Sequence, residues 1–117
     1  MFQPREMLKE LQDGQKTLAQ ANPEVMDAFA HFTQTDLKAG AVDAKTKELI
    51  AVGITIYARC EYCVVHHVYK ALECGATAEE IREAAFVAIA MGGGPSMTYL
   101  ATLLQDAITE FAPDFQK

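Results

Sequence analysis

The stretch "ARCEYCVVHHVYKALECGA", Ala58 to Ala76, decides the reading of this chain. It holds all three cysteines and two of the three histidines, in a segment that otherwise reads as a buried helix. Cys60-Glu61-Tyr62-Cys63 is a C-x-x-C, and His67 follows four residues after Cys63. Residues three and four apart share one helix face, so Cys60, Cys63 and His67 fall on a single stripe. Unpaired N–H groups at a helix start favour a thiolate at Cys60. An imidazole beside a thiol takes its proton or, when charged, stabilises the thiolate. Two thiols so placed close a disulfide with little backbone movement, one attacking and the other resolving. Cys63 is one turn from His67, whereas Cys60 is two turns away, roughly 10 Å along the axis. Spacing therefore favours Cys63 as the attacker and Cys60 as the resolving thiol.

Other readings of the same residues stay open. With His67 and a carboxylate, the C-x-x-C is half of a zinc site whose second pair is missing. Free cysteines also serve as inert core residues. Cys74 lies some 20 Å from Cys60 along a continuous helix and reads as packing. His66 borders the stripe as a core or interface histidine, and His31 has no assigned role.

Outward from this stretch the period stays helical. Met7, Leu8, Leu11 and Leu18 mark a first helix from about Pro4 to Ala21. Asn22-Pro23 supplies an N-cap and a first helical residue for a second, which carries Val25, Met26, Phe29 and Phe32 and closes at Lys38-Ala39-Gly40. Asp43 caps a third. Its body, Leu49 to Ala58, is apolar on every side, the mark of a central helix. A fourth spans Cys60 to Glu73 and is closed by Gly75. Thr77-Ala78-Glu79-Glu80 has the form of a capping box for a fifth. Gly92-Gly93-Gly94-Pro95 breaks that helix where small residues let helices or subunits approach closely. A sixth starts at Pro95 or Ser96, and Pro113 ends the ordered pattern. The expectation is an all-α fold of about six helices forming a single domain over residues 1–117.

The totals narrow the function. The chain has 117 residues, half of them hydrophobic, and a formal net charge of −6. That balance argues against nonspecific nucleic-acid binding, which needs clustered Lys and Arg. No secretory signal and no membrane-spanning apolar run is evident. A cytoplasmic location, where thiols are kept reduced, is the expectation.

Glu48, then eleven residues, then Cys60-x-x-Cys63-x-x-x-His67 resembles the signature of the AhpD-like alkylhydroperoxidases of the carboxymuconolactone decarboxylase superfamily. The similarity runs from about Asp43 to Leu104. It includes "KELIAVGI" (Lys47 to Ile54), "CEYCVVHH" (Cys60 to His67), the Gly75 turn and "MGGGPSMTY" (Met91 to Tyr99). The resemblance implies an all-α homo-oligomer, with a hexamer favoured over a trimer. It implies that Cys63 attacks a hydroperoxide oxygen and becomes a sulfenic acid, and that Cys60 condenses with it to a disulfide. His67 and Glu48 then form a proton relay. No bound cofactor is implied. An external dithiol, lipoyl-type in the best-known member, or a reductant protein or small thiol, restores the reduced form. Tyr62 departs from the best-known peroxidase, which has a histidine inside its C-x-x-C. Ring-decarboxylating members lack the paired cysteines, so the C-x-x-C favours the redox branch.

The apolar neighbours Val64, Val65 and Ile56 lead to an expected preference for organic hydroperoxides over hydrogen peroxide. The rival functions are a disulfide reductase or thiol exchanger, a decarboxylase-like lyase using His67, and a helical module with structural zinc. Glu48 poses a distance problem: on one continuous helix it would lie roughly 18 Å from Cys60. It reaches the thiols only if the chain bends or a neighbouring helix or subunit brings it in; otherwise it is a solvated first-turn glutamate.

Overall fold

A computed structural model describes residues 1–116, and every element in it is helical. The order is α1 (Pro4–Ala21), α2 (Pro23–Leu37), α3 (Ala44–Ala58), α4 (Glu61–Glu73), α5 (Ala78–Gly92) and α6 (Gly94–Tyr99). A π-helical segment (Leu100–Leu104) then leads into α7 (Gln105–Phe115). The last three segments form one rod, so the expected sixth helix is present with a widened turn in its middle. Among the described residues no helix is long and apolar enough to cross a membrane.

The helix ends follow side-chain chemistry. Asp43 accepts the Thr46 N–H at 2.7 Å and starts α3. Thr77 and Glu80 form the full capping box at α5, with reciprocal bonds of 3.0 and 2.8 Å. At the α1–α2 joint the expected Asn22 side-chain cap is absent. Pro23 opens α2, and the turn is held by the Asn22 N–H donating to the Leu18 carbonyl at 2.8 Å. Pro113 does not stop the last helix, which continues to Phe115.

α4 lies in the middle of the molecule. Val64, Val65, Val68 and Ala71 are wholly buried, and α3, the π segment and α7 pack around them. Tyr69 meets Phe111 and Phe115 edge-on, both at 5.1 Å between centroids. Arg5 ties α1 to α7 by pairing with Glu110 and Asp114, with its guanidinium 5.2 Å from the Phe111 ring centre.

α3 departs from the expected central position. Val52 and Ile56 are fully buried, but Ile50, Ile54 and Tyr57 on its other side are more than half exposed. Its all-round apolar pattern exceeds what this chain alone covers. α2 goes further, since none of its residues is buried.

The glycine run has a local cause. A Cβ on Gly92 would collide with Ser96 Oγ and lie 3.1 Å from Tyr57 Cδ1, while Gly93 takes a φ of +66°. Gly94 has open space around it. Gly92→Ala is therefore expected to cost about 1–3 kcal/mol in urea unfolding, the range for overpacking. Gly94→Ala should stay within about 0.5 kcal/mol.

Glu80 gives a second test. The Thr77 backbone N–H, and then Lys45 at 3.0 Å, hold its carboxyl below the usual pKa. A depressed folded-state pKa means stabilisation that is complete above the unfolded value and lost as pH falls through the folded one. Glu80→Gln should lower the melting temperature at pH 7, and the gap from wild type should start to narrow below about pH 4.3, the unfolded value, and close as pH falls through the lower folded one.

Candidate active site

The polypeptide reverses direction at Arg59 and Cys60. The Cys60 N–H donates to the Thr55 carbonyl and the Arg59 N–H to the Ile56 carbonyl, both at 3.2 Å. This paired closure of a helix end needs a left-handed residue, and Arg59 supplies it at φ 58°. The end of α4 closes in the same way, with Gly75 at φ 93°. A glycine is thus absent from the one turn that separates the two site-bearing helices.

Cys60 is the N-cap of α4 rather than its first helical residue. Its sulfur accepts the Cys63 N–H at 3.3 Å. Cys60 and Cys63 form a disulfide with their Cα atoms 5.1 Å apart. Both are partly buried, and the bond sits at the end of a helix whose middle is buried. The unpaired N–H groups of a helix start and their partial positive charge stabilise a thiolate there when the bond is reduced.

The turn also answers the distance problem. Because α3 and α4 run back along each other, Glu48 reaches His67, and Glu48 Oε1 lies 2.7 Å from His67 Nδ1. Glu48 is only 6 % exposed, so it is not a solvated first-turn glutamate. A carboxylate removed from water costs several kcal/mol unless a partner replaces its hydration, and His67 is that partner. With Nδ1 engaged, Nε2 is the ring nitrogen left for proton exchange. His67 stands one turn after Cys63 on the same helix, as the spacing requires. The fold thus gathers Cys60, Cys63, His67 and Glu48 along the α3–α4 seam.

His66 meets the His67 ring edge-on, with centroids 4.8 Å apart. Burial, and after it the neighbouring His67, pushes its pKa below the usual histidine value. Cys74 is exposed at the end of α4, which corrects its reading as a packing residue. Its thiol is pushed up, first by burial and then by Glu48. Among the described residues no group of three or more His, Cys, Asp and Glu side chains is disposed to hold a metal ion.

Val64, Val65 and Ile56 are wholly buried and do not face an arriving substrate. The apolar surface beside the C-x-x-C comes instead from α1. Leu11, Gly14 and Leu18 join Glu10, Gln15 and Tyr62 around a cleft of about 290 Å³. The Tyr62 hydroxyl donates to Glu10, which holds the phenol proton and raises its pKa. Glu10 was invisible in the motif because it lies 52 residues from Tyr62. Glu61, the other residue between the cysteines, accepts from the Tyr99 hydroxyl at 3.4 Å.

Comparison with known proteins gives a consistent picture. The model of the carboxymuconolactone decarboxylase family matches residues 23–106. An uncharacterized protein of Cupriavidus necator is 38 % identical over 87 residues, covering 74 % of this chain and 77 % of the relative. A carboxymuconolactone decarboxylase family protein from Legionella pneumophila, crystallised in its apo form, superposes with a TM-score of 0.88 at 35 % identity. That match covers 93 % of this chain and 96 % of the other. A Thermotoga maritima protein of the same family, for which an antioxidative role has been suggested, shares the fold. Its TM-score is 0.75 at 21 % identity, over 95 % of this chain and 97 % of that one. The chain belongs to the carboxymuconolactone decarboxylase family.

Proposed function

We propose that this protein is a thiol-dependent peroxidase that reduces hydroperoxides through the Cys60–Cys63 pair. One observation carries the reading: a disulfide at the start of a helix whose next turn bears His67, itself held by the buried Glu48. In the reduced enzyme His67 takes the Cys63 proton. The thiolate attacks the outer oxygen of ROOH, the O–O bond breaks, and the alkoxide leaves as ROH with that proton. Cys63 is then a sulfenic acid. The Cys60 thiolate attacks its sulfur, the S–O bond breaks, and the oxygen leaves as water after protonation. An external dithiol reduces the disulfide and is itself oxidised. It attacks Cys63 and displaces Cys60, the sulfur that the helix start favours as a leaving thiolate. Glu48 orients His67 and balances its charge while the ring holds the proton.

The suggested antioxidative role of the Thermotoga maritima relative supports this reading. So does the apolar cleft beside Tyr62, which suits an organic hydroperoxide or a small aliphatic dithiol. A reducing compartment such as the cytoplasm supplies the dithiol. The same proposal includes a homo-oligomer, with a hexamer favoured over a trimer; the uncovered apolar faces of α2 and α3 support it. Disulfide exchange without peroxide is the second reading, favoured by the position of Cys60 as the helix cap.

The test is intact-mass analysis with peptide mapping of fully reduced, metal-free protein after one equivalent of an alkyl hydroperoxide. The expected result is a loss of two mass units mapped to Cys60–Cys63 and absent in Cys63→Ser. Thiols that stay reduced after the pulse but oxidise with a small disulfide would replace peroxidase with exchange. Thiols inert to both would leave the lyase reading, which predicts activity surviving Cys63→Ser. Oxidation of Cys60 in Cys63→Ser at the wild-type rate would reverse the assignment of the attacker. His67→Gln should slow oxidation by about 10²-fold or more, the scale of general acid–base catalysis.

A further inference from the structure

Two apolar surfaces of the subunit are left without a partner, and they differ in shape. α2 presents a ridge. Val25, Phe29 and Phe32 are 62, 56 and 64 % exposed, at the i, i+4, i+7 spacing by which a helix lays one edge into a groove. α3 and α5 form a groove of about 550 Å³. Its floor is small: Gly53, Ala84 and Ala88 line it, and a Cβ on Gly53 would lie 3.2 Å from the Ala84 carbonyl oxygen. Its walls are apolar. Ile50, Ile54 and Tyr57 come from α3, Val87 and Met91 from α5, and each is more than half exposed.

The groove stands open with the chain's own α2 in place, so that helix does not fill it. Lys47 Nζ donates to the Asp36 and Lys38 carbonyls at 2.7 and 2.9 Å and ties the end of α2 to the start of α3. Together, ridge and walls expose on the order of 1,000 Å², divided between two patches that are each about as large as the largest usual on a monomer. The sum is about the total area a specific interface needs.

We propose that α2 of one copy seats its Val25–Phe29–Phe32 edge in the α3/α5 groove of a second copy. The pairing rests on the homo-oligomer reading and names the surfaces that build it. Ridge and groove are different surfaces of the same subunit. The contact is therefore made either reciprocally between two copies or head to tail, which closes into a ring only where the rotation between copies allows it.

The experiment combines native mass spectrometry with site-specific photocrosslinking. A benzophenone amino acid replaces Phe29 in isotope-labelled chains, which are mixed with unlabelled chains carrying none. The expected products are cross-linked peptides of mixed isotope content that join α2 to residues 50–57 or 84–91. Phe29→Asp and Ile54→Asp, both at exposed positions, should each weaken association at least tenfold with the helical circular dichroism unchanged. An oligomer whose mixed cross-links map elsewhere would overturn this pairing and leave the oligomer reading intact. A wild-type monomer at micromolar concentration would overturn both and turn the groove into a site for an apolar ligand.

Discussion

The contact between Glu48 and His67 is the constraint on which the rest of the site depends. A carboxyl group buried to this degree needs a partner, and the partner stands on the next helix in the chain. α3 and α4 must therefore lie side by side with these two residues facing each other. Once they do, the stripe on α4 is fixed: His67 at the carboxylate, Cys63 one turn earlier, Cys60 at the helix start. Val52 and Ile56 continue the Glu48 face of α3 and seal the seam against α4 with fully buried side chains. The polar contact selects the register, and the apolar contacts around it keep water out.

Cys60 has two duties that depend on its position. As N-cap it accepts a backbone N–H that would otherwise lack an intrahelical partner. As half of the disulfide it also takes part in any change of redox state. A sulfur atom is a modest acceptor when oxidised or protonated, and a thiolate is a strong one. Reduction thus adds charge where the helix end is best able to receive it. The neighbouring His66 is pushed towards its neutral form, first by burial and then by His67.

Much of this was legible in the amino-acid order. Helix starts at Pro4, Pro23, Ala44 and Ala78 could be read because a proline or a capping side chain marks each one by local chemistry. The cysteine–histidine stripe could be read because helical spacing is also local. Glu48 could not be chosen that way. Its partner is 19 residues distant, and the turn that joins them uses Arg59 where a glycine would have announced it. Only the family resemblance points to it. The outer face of α3 was misplaced for the opposite reason: an all-round apolar pattern reads as a central helix, yet Ile50, Ile54 and Tyr57 are more than half exposed. Tyr62 and Glu10 meet across 52 residues, and periodicity carries no trace of such a contact.

Arg59 and Cys60 are the whole connection between α3 and α4. A residue added there and taken up by α4 would turn the stripe by about 100° about the helix axis and carry His67 away from Glu48, although every side chain of the motif would still be present. The segment from Lys38 to Asp43, between α2 and α3, bears none of the four site residues and can change length without that effect. Chain length is thus a chemical variable at one joint of this molecule and a free one at another. Insertions that alignment would score alike are expected to divide sharply between harmless and inactivating according to which joint they enter.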